Sequence, residues 1–321
     1  MMKTKCSPGV LTTVALLAAF LGIFAAPSVL LGQEDAAVHV VVTATTKSSE
    51  TTDVPQQSVA VRLDGKPQQI TGWIPLRGPR SGLELVLLLD DSSRASLGLY
   101  LNEIKSFFDG LPPNTNLAVG YMRNGIADLV TGFSTDRTAS MNALRLPLGG
   151  AGVDASPYFC LTDLIKRWPT PPGSDVRREV IMVTNGVDPY NGRRYDPQDP
   201  YVQSAISDAQ KAGIIVYSIY FTGAGRYGRS GLAADVGQNY LTQLSGGTGG
   251  QLYYLGFGNP VSFTPFLSDI QRKLRNQYEL SFVTQPKKDL QSISVKTNHP
   301  NTKFEVQSQV LARGAPAATE R

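Results

Sequence analysis

The apolar run at residues 83–89 is the clearest pattern in the chain. Every residue in it is apolar except Glu84, and the run is too short for a helix, so it predicts a strand buried on both faces of a parallel sheet. Asp90, Asp91 and Ser92 follow directly at its carboxyl end. Because ligands bind at that edge of an open α/β sheet, this loop is the first candidate for a functional site.

Strand and helix patterns alternate through residues 81–276. Short apolar runs bounded by turn residues predict strands, and apolar residues at helical spacing predict helices between them. The predicted strands are residues 83–89, 117–121, 126–133, 180–183, 214–221 and 251–255, and the predicted helices are residues 97–108, 135–144, 158–168, 199–213, 232–244 and 263–276. Repeated units of this kind predict an α/β fold with a doubly wound, mostly parallel sheet.

The two ends of the chain have a different pattern. Residues 33–80 and 277–311 alternate apolar and polar positions between turn sequences, which predicts antiparallel strands, the last of them at residues 304–311. Neither end has enough apolar residues for a core of its own. We therefore expect the two ends to form one small antiparallel β-sandwich into which the α/β domain is inserted. Residues 312–321 are expected to form a flexible tail.

Composition and charge exclude two classes of protein. Of the 321 residues, 41% are hydrophobic and 17% are charged, which is typical of a globular chain and not of a disordered one. The formal net charge is +4, to which Lys3 and Lys5 contribute, and the sequence contains no block of Lys or Arg. Nucleic acid is therefore not expected as a partner.

Residues 1–32 have the pattern of a targeting segment. Lys3 and Lys5 precede an apolar stretch at residues 10–32, as in a signal peptide. We therefore expect an exported protein that is periplasmic, secreted or located at the cell surface. The apolar stretch is also long enough to span a bilayer, so an uncleaved N-terminal anchor is the alternative.

Sequence patterns for catalysis are weak. Residues 223–228 read Gly-Ala-Gly-Arg-Tyr-Gly and fit the dinucleotide-binding fingerprint, but the strand predicted next, at residues 251–255, ends without an acid for a ribose. His39 and His299 lie in the β-rich ends, far in sequence from Asp90, so no base is expected near the candidate loop. We expect no enzymatic activity and no cofactor.

Three segments resemble the strands of a von Willebrand factor type A (vWA) domain. Residues 87–92 read Leu-Leu-Leu-Asp-Asp-Ser, residues 180–186 read Val-Ile-Met-Val-Thr-Asn-Gly, and residues 214–219 read Ile-Ile-Val-Tyr-Ser-Ile. The resemblance implies that residues 81–276 form a vWA domain, which has a Rossmann-like, doubly wound sheet.

A narrower resemblance is to a family of exported bacterial proteins called acidobacterial VWFA-related. It covers nearly the whole chain after the targeting segment, and it rests on the order and spacing of its motifs. The segments that carry it are Asp-Gly-Lys-Pro-Gln-Gln-Ile-Thr at residues 64–71, Leu-Ser-Gly-Gly at residues 244–247 and Asn-Gln-Tyr-Glu-Leu-Ser-Phe at residues 276–282.

The resemblance implies a metal-ion-dependent adhesion site (MIDAS) at the carboxyl edge of the sheet. Such domains hold Mg²⁺ or a similar cation with an Asp-x-Ser-x-Ser loop, a Thr from a second loop and an Asp from a third, and the cation binds an acidic group of a partner. Asp90 and Ser92 match the first two positions, but Arg94 occupies the third and Asn185 replaces the third-loop acid. Ser156 is the candidate for the second-loop position.

These departures predict a degenerate, metal-free site. An amide in place of a carboxylate, and a guanidinium in place of a hydroxyl, reduce the negative charge that favours a divalent cation. We hypothesise that Arg94 contacts Asp90 and substitutes for the ion; the alternative is that Arg94 points into solvent. Asp91 is expected either to contribute to a shifted metal site or to cap the following helix.

The sequence therefore predicts an exported, non-enzymatic protein-binding or adhesion module whose partner is a protein or a cell-envelope polymer. One alternative is metal-dependent adhesion, in which Asp90 and Ser92 hold a weakly bound Mg²⁺, Mn²⁺ or Ca²⁺. Another alternative is a structural scaffold in an envelope assembly, which needs no ligand site. Contact with a membrane is expected only through an uncleaved N-terminal segment.

Overall fold

The computed structural model describes residues 35–46, 51, 53–149, 156–172, 175–190, 196–222, 231–256 and 258–313. These residues all belong to one compact unit, Glu34–Arg321. The predicted signal peptide or anchor at residues 1–32 and most of the predicted tail at residues 312–321 lie outside the described residues. Within the described part of the chain, no helix has the length and apolar character needed to cross a membrane.

The described residues form strands and helices that alternate in the middle of the chain. The strands are β1 (Ala36–Thr46), β2 (Val59–Leu63), β3 (Lys66–Gln68), β4 (Ile70–Pro75), β5 (Leu83–Asp90), β6 (Thr115–Arg123), β7 (Ile126–Leu129), β8 (Arg177–Thr184), β9 (Ile214–Tyr220), β10 (Leu252–Tyr253), β11 (Gln277–Thr284), β12 (Gln291–Thr297), β13 (Thr302–Glu305) and β14 (Gln309–Val310). The helices are α1 (Leu101–Asp109), α2 (Arg137–Asn142), α3 (Pro157–Lys166), α4 (Pro200–Ala212), α5 (Gly231–Thr248) and α6 (Thr264–Arg275). Short 3₁₀ turns lie at Gln56–Ser58, Gly78–Arg80 and Ala95–Tyr100.

Six strands form the central sheet, in the order β10-β9-β8-β5-β6-β7. Neighbouring strands are parallel, except that β7 is antiparallel to β6 at one edge. Counted from β5, this is the strand order of a doubly wound sheet, whose direction of winding reverses between β5 and β8. The predicted α/β class with a mostly parallel sheet is confirmed. The carboxyl ends of β5 and β8 therefore flank the crevice where such sheets bind ligands.

β5 is buried along its whole length, as its apolar sequence predicts. Its side chains alternate between the two faces of the sheet. Leu85, Leu87 and Leu89 join the core beneath α1 and α6, whereas Val86 and Leu88 join the core beneath α3, α4 and α5. Because helices cover both faces, the sheet can meet other molecules or domains mainly at the two ends of its strands.

The two ends of the chain form a pair of four-stranded antiparallel sheets. Their strand orders are β13-β1-β11-β4 and β14-β12-β2-β3, so each sheet combines strands from before and after the α/β domain. Val40 and Leu280 from one sheet share a core with Val61 and Val295 from the other. The predicted β-sandwich, with the α/β domain inserted in it, is confirmed.

Several predicted elements differ from the structure, among them the strand predicted at residues 126–133, which ends at Leu129. The helix predicted from Leu97 begins as the 3₁₀ turn Ala95–Tyr100 and becomes α-helical only afterwards. The strand predicted at residues 304–311 is split into β13 and β14, because the chain crosses from one sheet of the sandwich to the other between them. The α5 helix begins one residue earlier than predicted and ends four residues later, at Thr248, because the glycine that ends it is Gly249, with φ of +85°.

Local sequence does determine several helix ends. The carboxylate of Asp136 accepts hydrogen bonds from the first turn of α2, and that of Asp199 does the same for α4. The α4 helix ends at Gly213, which has the left-handed conformation (φ 66°, ψ 38°). Because such caps depend only on residues a few positions apart, they can be recognised in the local sequence.

The sandwich packs against the amino edge of the central sheet through buried polar groups. Arg177, at the start of β8, donates to the carbonyl oxygens of Leu274 (2.8 Å) and Ser81 (2.9 Å) and to the side chain of Gln277. Glu179 is fully buried beside this group, and its burial raises its pKa to about 6. The Glu179 carboxyl therefore stays protonated to a higher pH than an ordinary glutamate does.

Three further contacts hold the same interface. The ammonium of the buried Lys273 in α6 donates to the carboxylate of Glu305 in β13 at 2.6 Å. The side chain of Gln210 in α4 donates to the hydroxyl of Ser308 at 2.9 Å, and the backbone N–H of Ser308 donates to the carbonyl oxygen of Gly247 at 2.9 Å. These contacts attach the sandwich to the amino edge of the α/β domain.

Candidate functional site

Asp90 joins the two strands that flank the crevice. It is the last residue of β5 and is only 5% exposed. Its Oδ1 accepts hydrogen bonds from the backbone N–H (3.0 Å) and the hydroxyl (2.6 Å) of Ser92, and its Oδ2 accepts one from the hydroxyl of Thr184 (2.8 Å). Thr184 was not among the predicted site residues. The feature of the sequence that could have identified it is its position at the end of the neighbouring strand, directly before Asn185.

The third loop, which follows β8, is held by contacts of its own. Asn185 is buried, and its side-chain oxygen accepts a hydrogen bond from the backbone N–H of Val187 (3.0 Å). The hydroxyl of Tyr158 donates to the carbonyl oxygen of Gly186 (2.7 Å). A Cβ atom on Gly237 would lie 2.0 Å from the carbonyl oxygen of Asn185, so α5 approaches this loop where only glycine fits. The Asn185 amide therefore stabilises the loop itself.

Asp91 forms a buried ion pair that was not predicted from the sequence. Arg145 binds both of its carboxylate oxygens, with Nη1–Oδ1 at 2.7 Å and Nη2–Oδ2 at 3.2 Å, and the backbone N–H of Leu148 donates to Oδ1 at 2.9 Å. The guanidinium also lies 3.7 Å from the ring centroid of Tyr121. Asp91 is therefore neither a helix cap nor a free ligand for a shifted metal site, and both expectations for it require correction. Arg145 could not be predicted as the partner, because it lies 54 residues from Asp91 in the chain.

Arg94 does not contact Asp90. Its side chain is exposed, and the ion pairs of the described residues do not include it. The hypothesised Arg94–Asp90 pair is therefore not formed, and the alternative of a solvent-exposed Arg94 describes the structure. The physical reason is that Ser92 and Thr184 already donate to the oxygens of Asp90. A guanidinium does neutralise an acid of this loop, but the pair is Arg145 with Asp91.

Ser156 lies near two other acidic residues, Asp188 and Asp199. It is fully buried at the start of α3, and neither its hydroxyl nor Oδ2 of Asp188 has a hydrogen-bond partner among the described residues. Burial raises the pKa of Asp188, the nearby Asp199 raises it further, and the backbone N–H of Tyr190, which donates to Asp188 Oδ1, opposes the change. The structure therefore brings Ser156 to Asp188 and makes no hydrogen bond between Ser156 and Asp90.

The donor groups of these loops suit a divalent cation poorly. Asp91 is neutralised by Arg145, and Asn185 contributes an amide where a third-loop carboxylate would stand, so the matched positions offer at most the carboxylate of Asp90. A hard divalent cation prefers several oxygen ligands, carboxylates among them. Within the described residues, no three His, Cys, Asp or Glu side chains converge to form a group able to hold a metal ion.

Exposed apolar side chains are concentrated on the loops around Asp90. Twelve large hydrophobic residues of the described chain are exposed, and only Val130 and Val283 lie away from the carboxyl edge of the central sheet. The ten at this edge are Leu99, Ile126, Leu146, Leu148, Tyr190, Tyr201, Leu232, Tyr254, Leu255 and Val261. The most accessible is Val261, which is 96% exposed. We call these ten residues the carboxyl-edge surface.

Two groups within the carboxyl-edge surface lie over opposite faces of the sheet. Phe159 packs against Tyr190 and Tyr201, with ring centroids 5.5 and 4.7 Å apart, over the face covered by α3 and α4. Over the other face, Leu146 lies against the 3₁₀ turn that carries Leu99, because a Cβ atom built on Gly98 of that turn would be 2.5 Å from the Leu146 side chain. The end of β5, with Asp90, runs between the two groups.

Comparisons with known proteins give similarity in fold alone. No protein-family model matches the chain, and no curated protein sequence matches it. Among solved structures, an aerotolerance-related membrane protein from Bacteroides fragilis shares 15% identity at a TM-score of 0.42, over 60% of this chain and 98% of that one. Proximal thread matrix protein 1 from the mussel byssus shares 15% identity at a TM-score of 0.41, over 62% and 47%. The VWA domain of SpRpn10 shares 10% identity at a TM-score of 0.39, over 59% and 93%.

Proposed function

We propose that the protein is an exported, non-enzymatic interaction module that binds another protein or a cell-envelope polymer through its carboxyl-edge surface. The observation that carries this proposal is that ten of the twelve exposed large hydrophobic residues of the described chain lie on that surface. Clustered apolar side chains exposed on a soluble protein are characteristic of interaction sites. The same edge is where doubly wound sheets bind their ligands.

The arrangement of the carboxyl-edge surface resembles that of a protein-binding interface. Such interfaces combine apolar and aromatic anchors with a few oriented polar groups. Tyr190 and Tyr201 would supply aromatic anchors on one side, and Leu99 and Leu146 would supply aliphatic ones on the other. Between them, Asp90 is held by two strands and so has a fixed position.

We propose that this site works without a resident divalent cation. The support is the donor set: Arg145 neutralises Asp91, and Asn185 contributes a neutral amide that already accepts a hydrogen bond within its own loop. A partner would then be bound by apolar contact and direct hydrogen bonds rather than through a metal bridge. The metal-dependent alternative requires a cation at Asp90 and predicts that a chelator abolishes binding.

The absence of enzymatic activity is part of the proposal, and the positions of the two histidines support it. Nδ1 of His39 lies 3.0 Å from the carboxylate of Glu279 and 3.2 Å from the hydroxyl of Ser281. A hydrolytic triad uses one ring nitrogen for the acid and the other for the nucleophile, whereas here a single nitrogen makes both contacts. His299 contacts Thr302 in the sandwich, at the end of the molecule away from Asp90.

Retention of envelope components by the immobilised protein tests this function. We expect the double variant Tyr190→Ser/Tyr201→Ser to lower the affinity for the retained component by about tenfold or more, as truncation of aromatic anchors does. Val283→Ser is the matched control, because Val283 is also exposed but lies in the sandwich. Binding measured with and without EDTA decides between the metal-free and metal-dependent forms of the site.

Each alternative has its own outcome in that experiment. Equal loss in the tyrosine double variant and in Val283→Ser would show that the carboxyl-edge surface is not the binding site. Loss of binding in EDTA, restored by Mg²⁺, would favour metal-dependent adhesion, and Asp90→Ala would then abolish binding. Incorporation into an envelope assembly that neither variant nor chelator affects would favour a structural scaffold.

A further inference from the structure

The first half of β1 has an unpaired edge. β1 pairs with β11 at residues 36–43, but it pairs with β13 only at residues 43–46. After β13 the chain turns away, and the backbone N–H of Ser308 donates to the carbonyl oxygen of Gly247 in the α/β domain. Among the described residues, residues 36–42 are therefore paired on one side only.

The hydrogen-bonding groups on that edge can be assigned from the strand register. Ala44 donates its backbone N–H to the carbonyl oxygen of Asn276, on the β11 side (2.8 Å). In an antiparallel pair, successive residues alternate between the two sides, so the even-numbered residues of β1 face β11 and the odd-numbered residues face away. Ala37, His39 and Val41 thus direct their N–H and C=O groups to the open side, where no backbone partner exists among the described residues.

A cleft of about 540 Å³ runs along this edge. Its volume lies within the range of about 300–1,000 Å³ that is common for ligand sites. Residues 35–41 of the strand edge line one side, and residues 210–213 at the end of α4, together with Val310 and Leu311, line others. The cleft lies at the amino edge of the central sheet, at the opposite end from the carboxyl-edge surface.

Two exposed cations line the cleft. Lys211 and Arg313 are adjacent, because Nη2 of Arg313 donates to the carbonyl oxygen of Lys211 (3.0 Å). Neither side chain forms an ion pair within the described residues. The pKa of the neighbouring Arg178 is lowered to about 10, mainly by burial and in part by the charge of Arg313, while the charge of Glu84 opposes the change. An anionic group of a ligand would relieve this repulsion.

Acidic residues also line the cleft, and their positions limit the ligand. Asp35, Asp175 and Glu279 belong to its wall. Glu279 is already hydrogen-bonded to His39, at 3.0 Å. A ligand with acidic groups along its whole length would meet these carboxylates, so the complementary ligand is acidic only where it passes the two cations.

We propose that this cleft binds an extended peptide segment of a partner protein, which adds as a strand to residues 36–42 of β1 and places an acidic side chain beside Lys211 and Arg313. The alternating donors and acceptors of Ala37, His39 and Val41 match the backbone of a β-strand, which repeats the same groups every second residue. Unpaired strand edges are usually shortened or blocked by charges, proline or bulges, and this edge is instead left open beside a cleft.

Selection from a display library of random eight-residue peptides on the purified full chain tests the proposal. We expect the enriched peptides to lack proline and to carry Asp or Glu at one position. Ala37→Pro removes one N–H from the open edge and leaves the hydrogen bonds to β11 in place, since proline is tolerated on such edges. It should weaken the enriched peptides by roughly tenfold, while Ala37→Ser, which keeps the N–H, should leave their affinity unchanged.

A charge variant gives a second test that does not alter the strand. Lys211 is exposed at the end of α4, so Lys211→Glu is expected to fold normally. A library selected on Lys211→Glu should enrich Lys or Arg in place of Asp or Glu at that position. If no peptide is enriched, or if the enriched peptides bind Ala37→Pro as tightly as the original chain, the proposal is wrong.

Two other occupants of the cleft would be recognised by separate results. A dimer in sedimentation experiments that Ala37→Pro dissociates would assign the edge to a second copy of the chain. Peptide binding that requires removal of residues 314–321 would assign it to the chain's own C-terminal segment. Either result would overturn the partner-peptide proposal.

Discussion

The two ends of the central sheet bury similar polar groups but are covered differently. At the amino end, Arg177 and Lys273 are buried and bonded to the sandwich. At the carboxyl end, Asp90 and Asp91 are equally buried and bonded to neighbouring loops. The two ends differ in what surrounds these groups. The amino end packs against the sandwich, while the carboxyl end is surrounded by exposed apolar side chains. Buried charged groups therefore do not distinguish the two ends of the sheet, whereas the exposed apolar residues do.

The comparison also shows how a buried carboxyl group is accommodated. Asp91 receives two hydrogen bonds from the Arg145 guanidinium, whereas the oxygens of Glu179 have no hydrogen-bond partner among the described residues. Burial accordingly raises the pKa of Glu179 to about 6. A buried carboxylate with a bidentate partner stabilises the loop that supplies the partner, while one without such a partner is more stable in its neutral form.

The largest predicted effect comes from separating the buried pair at the carboxyl end. Arg145→Met leaves Asp91 buried without its cation, and we expect a loss of about 3–5 kcal/mol in the free energy of unfolding, measured in urea. Arg94→Met is the matched control in the same region, because Arg94 is exposed and forms no ion pair among the described residues; its expected change is within about 0.5 kcal/mol. Similar losses in the two variants would contradict the assignment of the pair.

The next largest effect on stability is predicted at the amino end of the sheet, where the backbone of Gly249 packs against the backbone of Gln307. A Cβ atom on Gly249 would lie 2.7 Å from the backbone nitrogen of Gln307, and the φ of +85° at Gly249 is unfavourable for alanine. Gly249→Ala should therefore lower the unfolding free energy by about 2–3 kcal/mol. Gly246→Ala is the control: nothing lies within 4 Å of its Cβ position in α5, and helix propensity predicts a gain of about 0.5–1 kcal/mol. Equal stabilities would show that α5 and the sandwich are not in firm contact.

A pH-dependent effect of intermediate size is expected at Glu179. Its pKa is about 6 in the folded protein against an ordinary value of 4.5, so its stabilising contribution is complete below pH 4.5 and is lost as the pH rises through 6. Glu179→Gln, which retains the neutral form, should stabilise the protein by about 2 kcal/mol at pH 8 and by nearly nothing at pH 4.5. Urea unfolding at both pH values measures the difference. A gain that is independent of pH would contradict the raised pKa.

The smallest stability effect is predicted for the carboxyl-edge surface. Val261 is 96% exposed, so Val261→Asp should change the unfolding free energy by no more than about 0.5 kcal/mol. Val283→Asp, in the sandwich, is the matched control and should be similarly harmless to stability. The two variants should differ in retention of the envelope component, which only Val261→Asp should reduce. Marked destabilisation by Val261→Asp would mean that this residue packs within the fold and belongs to no binding surface.

The sequence predicted the parts of the site that depend on short segments. The apolar run of β5 correctly placed Asp90 at the end of a buried strand, and the caps at Asp136 and Asp199 form as their local sequences indicate. Predictions about which charged side chains pair with one another in the site failed. Asp91 pairs with Arg145, and Arg94 points into solvent, because side-chain pairing depends on the course of loops whose sequences carry no periodic pattern.

The sequence by itself determined the architecture of this protein: alternating apolar runs and helical stripes specify a doubly wound sheet, and two β-rich ends specify a sandwich. Both follow from the burial of apolar side chains, which is repeated at every turn or every second residue and is therefore visible in the sequence. Only the tertiary structure decided which acids are neutralised, that Thr184 bonds to Asp90, and that the exposed apolar residues gather at one end. These properties depend on single contacts between segments far apart in the chain, for which the sequence contains no periodic pattern.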